Sequence, residues 1–216
     1  MQKNLSRQWR KDCMEFWNSL LTEKSWKILL ELKKQPFHFI VIGGWAAYLW
    51  TKQHKSKDID IVIPDIKDLD ILKTNYDLRK NDRLKKYEIH WEEIDIDIYV
   101  PWYSVLTIPV EDIKKYTTKI EGIHVVSGEA LLILKQGAEE ARQGSVKGQK
   151  DCVDIMTLLC YASIDLKKYN ALLKVYHLEY YRQRLKQIVS SFQEITYLNI
   201  NANDFAKKKR ELLKPL

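Results

Sequence analysis

The stretch Gly43–Ile63, GGWAAYLWTKQHKSKDIDIVI, places two of the chain's seven glycines side by side and then sets two aspartates at alternate positions. It follows PFHFIVI (36–42), an apolar run that Pro36 opens and that reads as a short buried strand. The local order is therefore strand, Gly-Gly turn, helix over WAAYLWTKQ, and strand over KDIDIVI. Glycines at such a turn let backbone N–H groups approach an anion, and the helix behind them adds its positive amino end. Gly43 and Gly44 thus read as a place to hold phosphates. In KDIDIVI the side chains alternate, so Asp58 and Asp60 share one face while Ile59, Ile61 and Ile63 share the other. Two carboxylates a dipeptide apart repel each other unless a cation or hydrogen-bond donors compensate. A hard ion such as Mg²⁺, with Mn²⁺ as the alternative, takes one or two carboxylates together with substrate phosphates and water. The stretch as a whole reads as an NTP·Mg²⁺ site. No GxxxxGK[ST] or GxGxxG occurs in the chain, which sets aside a P-loop and a dinucleotide fingerprint.

Downstream, Pro64 ends the strand and Asp65 caps a helix expected over 66–76. RLKKYEIHW (83–91) and EEIDIDIYV (92–100) alternate as two strands meeting near His90 and Trp91. The second aligns Glu93, Asp95 and Asp97 on one face. Two-metal phosphoryl or nucleotidyl transfer needs a third carboxylate, to hold the second ion and deprotonate the attacking hydroxyl. Asp97, nearer the strand end, is the first choice and Asp95 the second. One isolated DID is more often a solvated strand face; two of them with a Gly-Gly turn reverse that balance.

The combination resembles the DNA polymerase β-like nucleotidyltransferase superfamily, whose motif is an apolar residue, Gly, Gly or Ser, a spacer, Asp-x-Asp, and a later strand Asp. Here these are Ile42, Gly43, Gly44, a spacer ending at Lys57, Asp58, Asp60 and Asp97, over residues 37 to 100. The resemblance implies a small mixed sheet flanked by helices, an α+β (α/β) fold with a helical carboxy-terminal part. It implies transfer of NMP from an NTP to an acceptor with release of pyrophosphate, Lys57 joining the nucleotide-binding residues. Many members carry Ser after the first Gly, where this chain has Gly44 and then bulky Trp45. Residues 127–160 are similar to the AbiEii-like, toxin-type branch, in which a helix with Lys and Arg precedes a Lys-Asp-x-x-Asp helix. That likeness implies a phosphate or leaving-group role for Lys135, assisted by Arg142 or Lys150. Asp151 and Asp154 would orient these cations or touch the nucleotide, and a cognate antitoxin becomes an expected partner. The alternative is an ordinary salt-bridged helix pair, since Lys150 and Asp154 stand at i,i+4 spacing.

Three parts follow: a helical segment over 1–35, a catalytic core over 36–126 and a helical region over 127–216. In the first, residues 5–34 read as two helical pieces, with Trp9, Cys13, Phe16 and Leu20 on one stripe. Thr22 would cap the second piece. After Pro109 come a short helix VEDIKKY, a hairpin turning at Gly122, and a helix over 128–143 capped by Ser127. GSVKGQ (144–149) connects to a helix KDCVDIMTLLC.

With 36 basic against 29 acidic residues the net charge is +7, which favours polyanionic partners, and 45% apolar content fits a globular chain. From Asp165 onward eleven Lys or Arg oppose five acids, and YHLEYYRQRLK interleaves Tyr176, His177, Tyr180 and Tyr181 with Arg182, Arg184 and Lys186. Such a pattern suits an RNA acceptor, while tyrosines at this spacing are more often packing residues. The amino terminus has charges where an export signal needs an apolar core, and the longest apolar stretch has 14 residues and a histidine. A cytoplasmic protein with reduced Cys13, Cys152 and Cys160, making no membrane contact, is expected.

Overall fold

The computed structural model describes residues 20–216, so the expected helix over 5–19 and its Trp9, Cys13 and Phe16 stripe lie outside the described residues. The chain forms two compact units, one running to Ser127 and one over Gly128–Leu216.

Among the described residues the first element of the first unit is α1 (Leu20–Leu32). Thr22 lies inside this helix and is buried, so it is not the cap expected from its sequence position. There follow β1 (Ile40–Val41), α2 (Gly43–Thr51), β2 (Ile59–Val62), α3 (Ile66–Asn75), β3 (Arg79–Asn81), β4 (Lys86–Trp91), β5 (Ile94–Tyr99), a 3-10 helix (Val110–Lys115), β6 (Thr117–Ile120) and β7 (Ile123–Val126). The seven strands make one mixed sheet in the order β3-β4-β5-β2-β1-β7-β6. β2 runs parallel to β5, and β1 parallel to β7; the other neighbours are antiparallel.

Alternation decides which face each strand buries. Ile59 and Ile61 of β2 and Ile94, Ile96 and Ile98 of β5 are fully buried, while Asp60, Asp95 and Asp97 project from the opposite face. Each such isoleucine removed from water contributes about 1.5–3 kcal/mol, enough to fix register against a one-residue slip. The β4–β5 hairpin turns through Glu92, which adopts the left-handed φ of 56°, and Glu93. Lys24 of α1 clasps both carboxylates at 2.6 and 2.8 Å. The β6–β7 hairpin turns through Glu121 and Gly122, both left-handed as a two-residue turn of this twist requires. Asp65 caps α3 as expected, accepting from the Lys67 amide at 3.0 Å.

Trp45 explains the bulk that follows the glycine pair. It is fully buried, its indole N–H donates to Ser25 Oγ at 2.8 Å, and its ring lies 5.0 Å from Trp26 and 5.5 Å from Tyr48. α1 and α2 are thereby pinned together on one aromatic cluster.

The second unit is helical: α4 (Gly128–Ala141), α5 (Val146–Tyr161), α6 (Leu166–Val175), α7 (Tyr180–Ser191), a 3-10 turn (Ile195–Leu198) and α8 (Ala202–Leu213). Its apolar core encloses a polar knot. Gln136 accepts from the Tyr169 hydroxyl at 2.5 Å and donates to the Tyr181 carbonyl at 2.8 Å. α5 begins earlier than the Gly-containing connection suggested, because Ser145 caps it by accepting from the Gly148 amide at 3.1 Å. Among the described residues no helix is long and apolar enough to cross a membrane.

Candidate functional site

β1 delivers the chain to Gly43 beside β2, since the Ile42 amide donates to the Asp60 carbonyl at 3.0 Å. Gly43 then takes φ of +65°, and a Cβ placed on it would stand 2.7 Å from the Asp60 carboxyl carbon. Glycine is required there twice over, for the left-handed backbone and for the approach of the carboxylate. The first intrahelical bond of α2 runs from the Ala46 amide to the Ile42 carbonyl, so the amides before it are the helix's unsatisfied donors. A ready anion site and a carboxylate thus touch, an arrangement that calls for a cation between them.

Parallel pairing of β2 with β5 sets Asp60 directly beside Asp97, and antiparallel pairing of β4 with β5 sets Glu88 on the other side of Asp97. Three carboxylates therefore line up across three strands. Burial and the charge of Asp60 push the Asp97 carboxyl up to about 6, against the pull of Lys86. The Lys86 ammonium lies 2.6 Å from Asp97 and 3.0 Å from Glu88. Burial draws that ammonium down, but its hydrogen bonds to Asp97 and Glu88 outweigh the effect and raise it.

Asp58 stands immediately before β2, half-buried, and Lys57 precedes it in the loop. Asp95 is exposed and pairs with His90 at 2.7 Å. Of the two candidates on β5, Asp97 is the one in register with Asp60. Glu93, aligned with them in sequence, falls in the hairpin turn and spends its charge on Lys24, because the strand starts only at Ile94. Among the described residues no three Asp, Glu, His or Cys side chains converge as a ready ligand set. The donor chemistry nonetheless fits one hard divalent ion, for Asp60 and Asp97 are adjacent carboxylates whose mutual repulsion such an ion would relieve, leaving room for phosphate oxygens and water.

A second constellation forms within the helical unit. Lys135 of α4 lies 2.5 Å from Asp154 and 3.5 Å from Asp151 of α5, and Arg142 reaches Asp151 at 2.5 Å. Lys135 and both aspartates are buried, whereas the Arg142 side chain is 42% exposed. Lys150 follows on α5, half-buried. Asp154 takes Lys135 across the helix pair.

The interleaved tail divides by burial. Tyr181 is buried with its hydroxyl on Glu140, and Arg184 binds Glu139 at 2.6 Å, so both belong to the packing of α7 on α4. Tyr180, Arg182 and Lys186 stay exposed. Burial pushes Cys152 up to about 12 and Cys160 to about 11, which makes both thiols unreactive.

Sequence reading missed Lys86 and Glu88. Both were within reach, because the two-residue turn at Glu92 and Glu93 dictates that Glu88 opposes Asp97.

No family model and no curated protein matches the sequence. Among solved structures, the chain is similar to an antigenic nucleotidyltransferase-like protein from Paracoccidioides brasiliensis, at 17% identity and a TM-score of 0.44 over 86% of this chain and 99% of that one. It is similar to the protein JHP933 from Helicobacter pylori, at 17% identity and a TM-score of 0.45 over 90% of each chain. The Megavirus polyadenylate synthase matches at 20% identity and a TM-score of 0.44, over 74% of this chain and 36% of the viral one.

Proposed function

We propose that this chain is a metal-dependent nucleotidyltransferase, moving a nucleoside monophosphate from an NTP to an acceptor with release of pyrophosphate. One observation carries the reading: the glycine-built amino end of α2 touches Asp60, and Asp60 stands in register with Asp97. The amides at Gly43 and Gly44 would hold the triphosphate, and Asp60 and Asp97, with Asp58 at the mouth of β2, would hold Mg²⁺. When bound, the ion supplies charge neutralisation on the phosphates and favours the ionised form of an attacking hydroxyl. Asp97, whose carboxyl sits at about 6, is mostly ionised at neutral pH and suited to accept the acceptor's proton. In the helical unit, Arg142 is the exposed cation suited to meet an anion, and Lys135 is the buried partner that fixes Asp151 and Asp154. An RNA end is the favoured acceptor on the exposed basic side chains of α7, ahead of a protein side chain or small molecule. The reading includes a toxin role with a cognate antitoxin, tested by growth arrest on expression of the wild type but not of Asp60→Asn.

The reaction is tested by incubating the protein with each α-³²P-labelled NTP, Mg²⁺ and total RNA, beside Asp60→Asn. Label transferred by the wild type alone supports the proposal; equal transfer by both proteins would sink it. Lys86 on Asp97 favours a second reading, a module that binds nucleotide without turnover. Pyrophosphate release dependent on Mg²⁺ separates the two.

A further inference from the structure

Ser56 lies in the loop between α2 and β2, and the site described above gives it no task. It is only 4% exposed. Among the described residues its hydroxyl has no hydrogen-bond partner. Protein interiors keep few hydroxyls in that condition, because burying one without a partner forfeits its hydration for nothing in return. The position of this hydroxyl is specific. A Cβ on Gly44 would stand 2.5 Å from Ser56 Oγ and 2.8 Å from Ser56 Cβ, so the serine fills the space that a side chain at residue 44 would occupy. Gly44 belongs to the first turn of α2, a helix of 9 residues whose leading amides have no acceptor inside the helix.

Two independent features thus meet at one point, an unsatisfied helix amino end and a buried donor. We infer that Ser56 is a phosphate-binding residue, its hydroxyl donating to a phosphate oxygen held by the amides at Gly43 and Gly44, with the triphosphate group of an NTP as the ligand. This inference rests on the nucleotidyltransferase reading and adds to it a side-chain donor brought by the loop rather than by the glycine turn. It gives Gly44 a reason of its own: any side chain there displaces Ser56. A phosphate oxygen accepting from a hydroxyl forms a charge-assisted bond, stronger than the neutral bonds of a typical loop serine.

The test titrates the full chain with inorganic tripolyphosphate, the group common to every NTP, and then with the four NTPs, each with Mg²⁺, by calorimetry. Wild type binds, and Ser56→Ala binds about 10- to 100-fold more weakly, the loss expected for one hydrogen bond to a charged group. Without ligand, the thermal midpoint of Ser56→Ala is equal to or above that of the wild type, because the variant removes an unsatisfied hydroxyl. Equal affinity of Ser56→Ala and wild type overturns the inference and leaves the nucleotidyltransferase reading standing. Failure of the wild type to bind tripolyphosphate and all four NTPs overturns both. Should Ser56→Ala fold poorly, the exchange Gly44→Ser with Ser56→Gly decides. It returns a hydroxyl to the same space from the other side and recovers affinity to within about threefold of wild type, whereas a folded exchange variant that does not bind overturns the inference.

Discussion

The sheet and the helical unit each gather charged side chains, and they treat charge in opposite ways. On the sheet, Glu88, Asp97 and Asp60 stand side by side on three strands with Lys86 between two of them, and Asp97 responds by rising to about 6. In the helical unit, Lys135 and Arg142 meet Asp151 and Asp154, two cations on two anions, with the carboxylates almost wholly buried. Asp60 beside a half-buried Asp97 raises the latter's carboxyl, and groups perturbed in this way cluster at functional sites. Buried carboxylates each met by a cation form a matched network of the kind that holds helices together. The proposed function accordingly puts the chemistry on the sheet and gives Lys135 a supporting place, with Arg142 the most exposed member of the quartet.

That contrast can be broken by substitution. Asp60→Asn should reduce pyrophosphate release from NTP and Mg²⁺ by about 10³-fold or more, the scale of losing a group that acts only at the transition state, with the folded circular-dichroism spectrum kept. Activity within tenfold of wild type would remove the sheet from the chemistry. Lys135→Ala should cost about 3–5 kcal/mol in urea unfolding, because it leaves Asp154 buried without its cation. A change under about 1 kcal/mol would mean that the quartet is not structural.

Asp97→Asn should separate from wild type with pH. The unfolded carboxyl releases its proton near its ordinary value of 3.8, whereas the folded one holds it to about 6. Folded protein therefore binds more protons between these values, and stability falls as pH rises through the window. The penalty is complete above 6 and absent below 3.8. Asp97→Asn should thus gain on wild type by about 1–2 kcal/mol at pH 8, after allowing for the partner Lys86 loses, and by nothing at pH 3.5. Thermal midpoints at the two pH values check it; a constant difference would refute the raised carboxyl. The smallest effect belongs to Asp95→Asn, which loses an exposed pair with His90 and should change stability by less than about 0.5 kcal/mol and leave turnover intact.

Much of the candidate site's layout was legible because it is written in short-range patterns. Period-two alternation placed Asp60 and Asp97 on one kind of face, and the Gly43–Gly44 pair marked a turn, which proves left-handed at Gly43 and lies against the Asp60 carboxylate. The two parallel pairings that bring β1 beside β7 and β2 beside β5 bridge distant segments, and only the resemblance to a mixed-sheet family anticipated such a sheet. Other elements were hidden for physical reasons. β3 has the polar sequence RKN and exists as a strand only because β4 offers it an edge. The strand expected over 36–42 shrinks to Ile40–Val41, since the pairing of β1 with its neighbours is confined to that span. Helix α5 swallowed a stretch containing Gly148 because a serine cap outweighs one glycine. Thr22 carries a capping residue type but sits inside α1, where its neighbours on the helix, not its own chemistry, decide. Glu93 kept the alternation on paper and lost it to the hairpin turn.

Where a divalent cation binds decides whether the sheet holds the chemistry. Mn²⁺ titration followed by electron paramagnetic resonance, with a saturating NTP, should show tight binding in the wild type, loss of it in Asp60→Asn and Asp97→Asn, and its retention in Asp151→Asn provided that variant stays folded. Binding that survives both sheet substitutions, or that disappears with a folded Asp151→Asn, would contradict the assignment of the chemistry to the sheet.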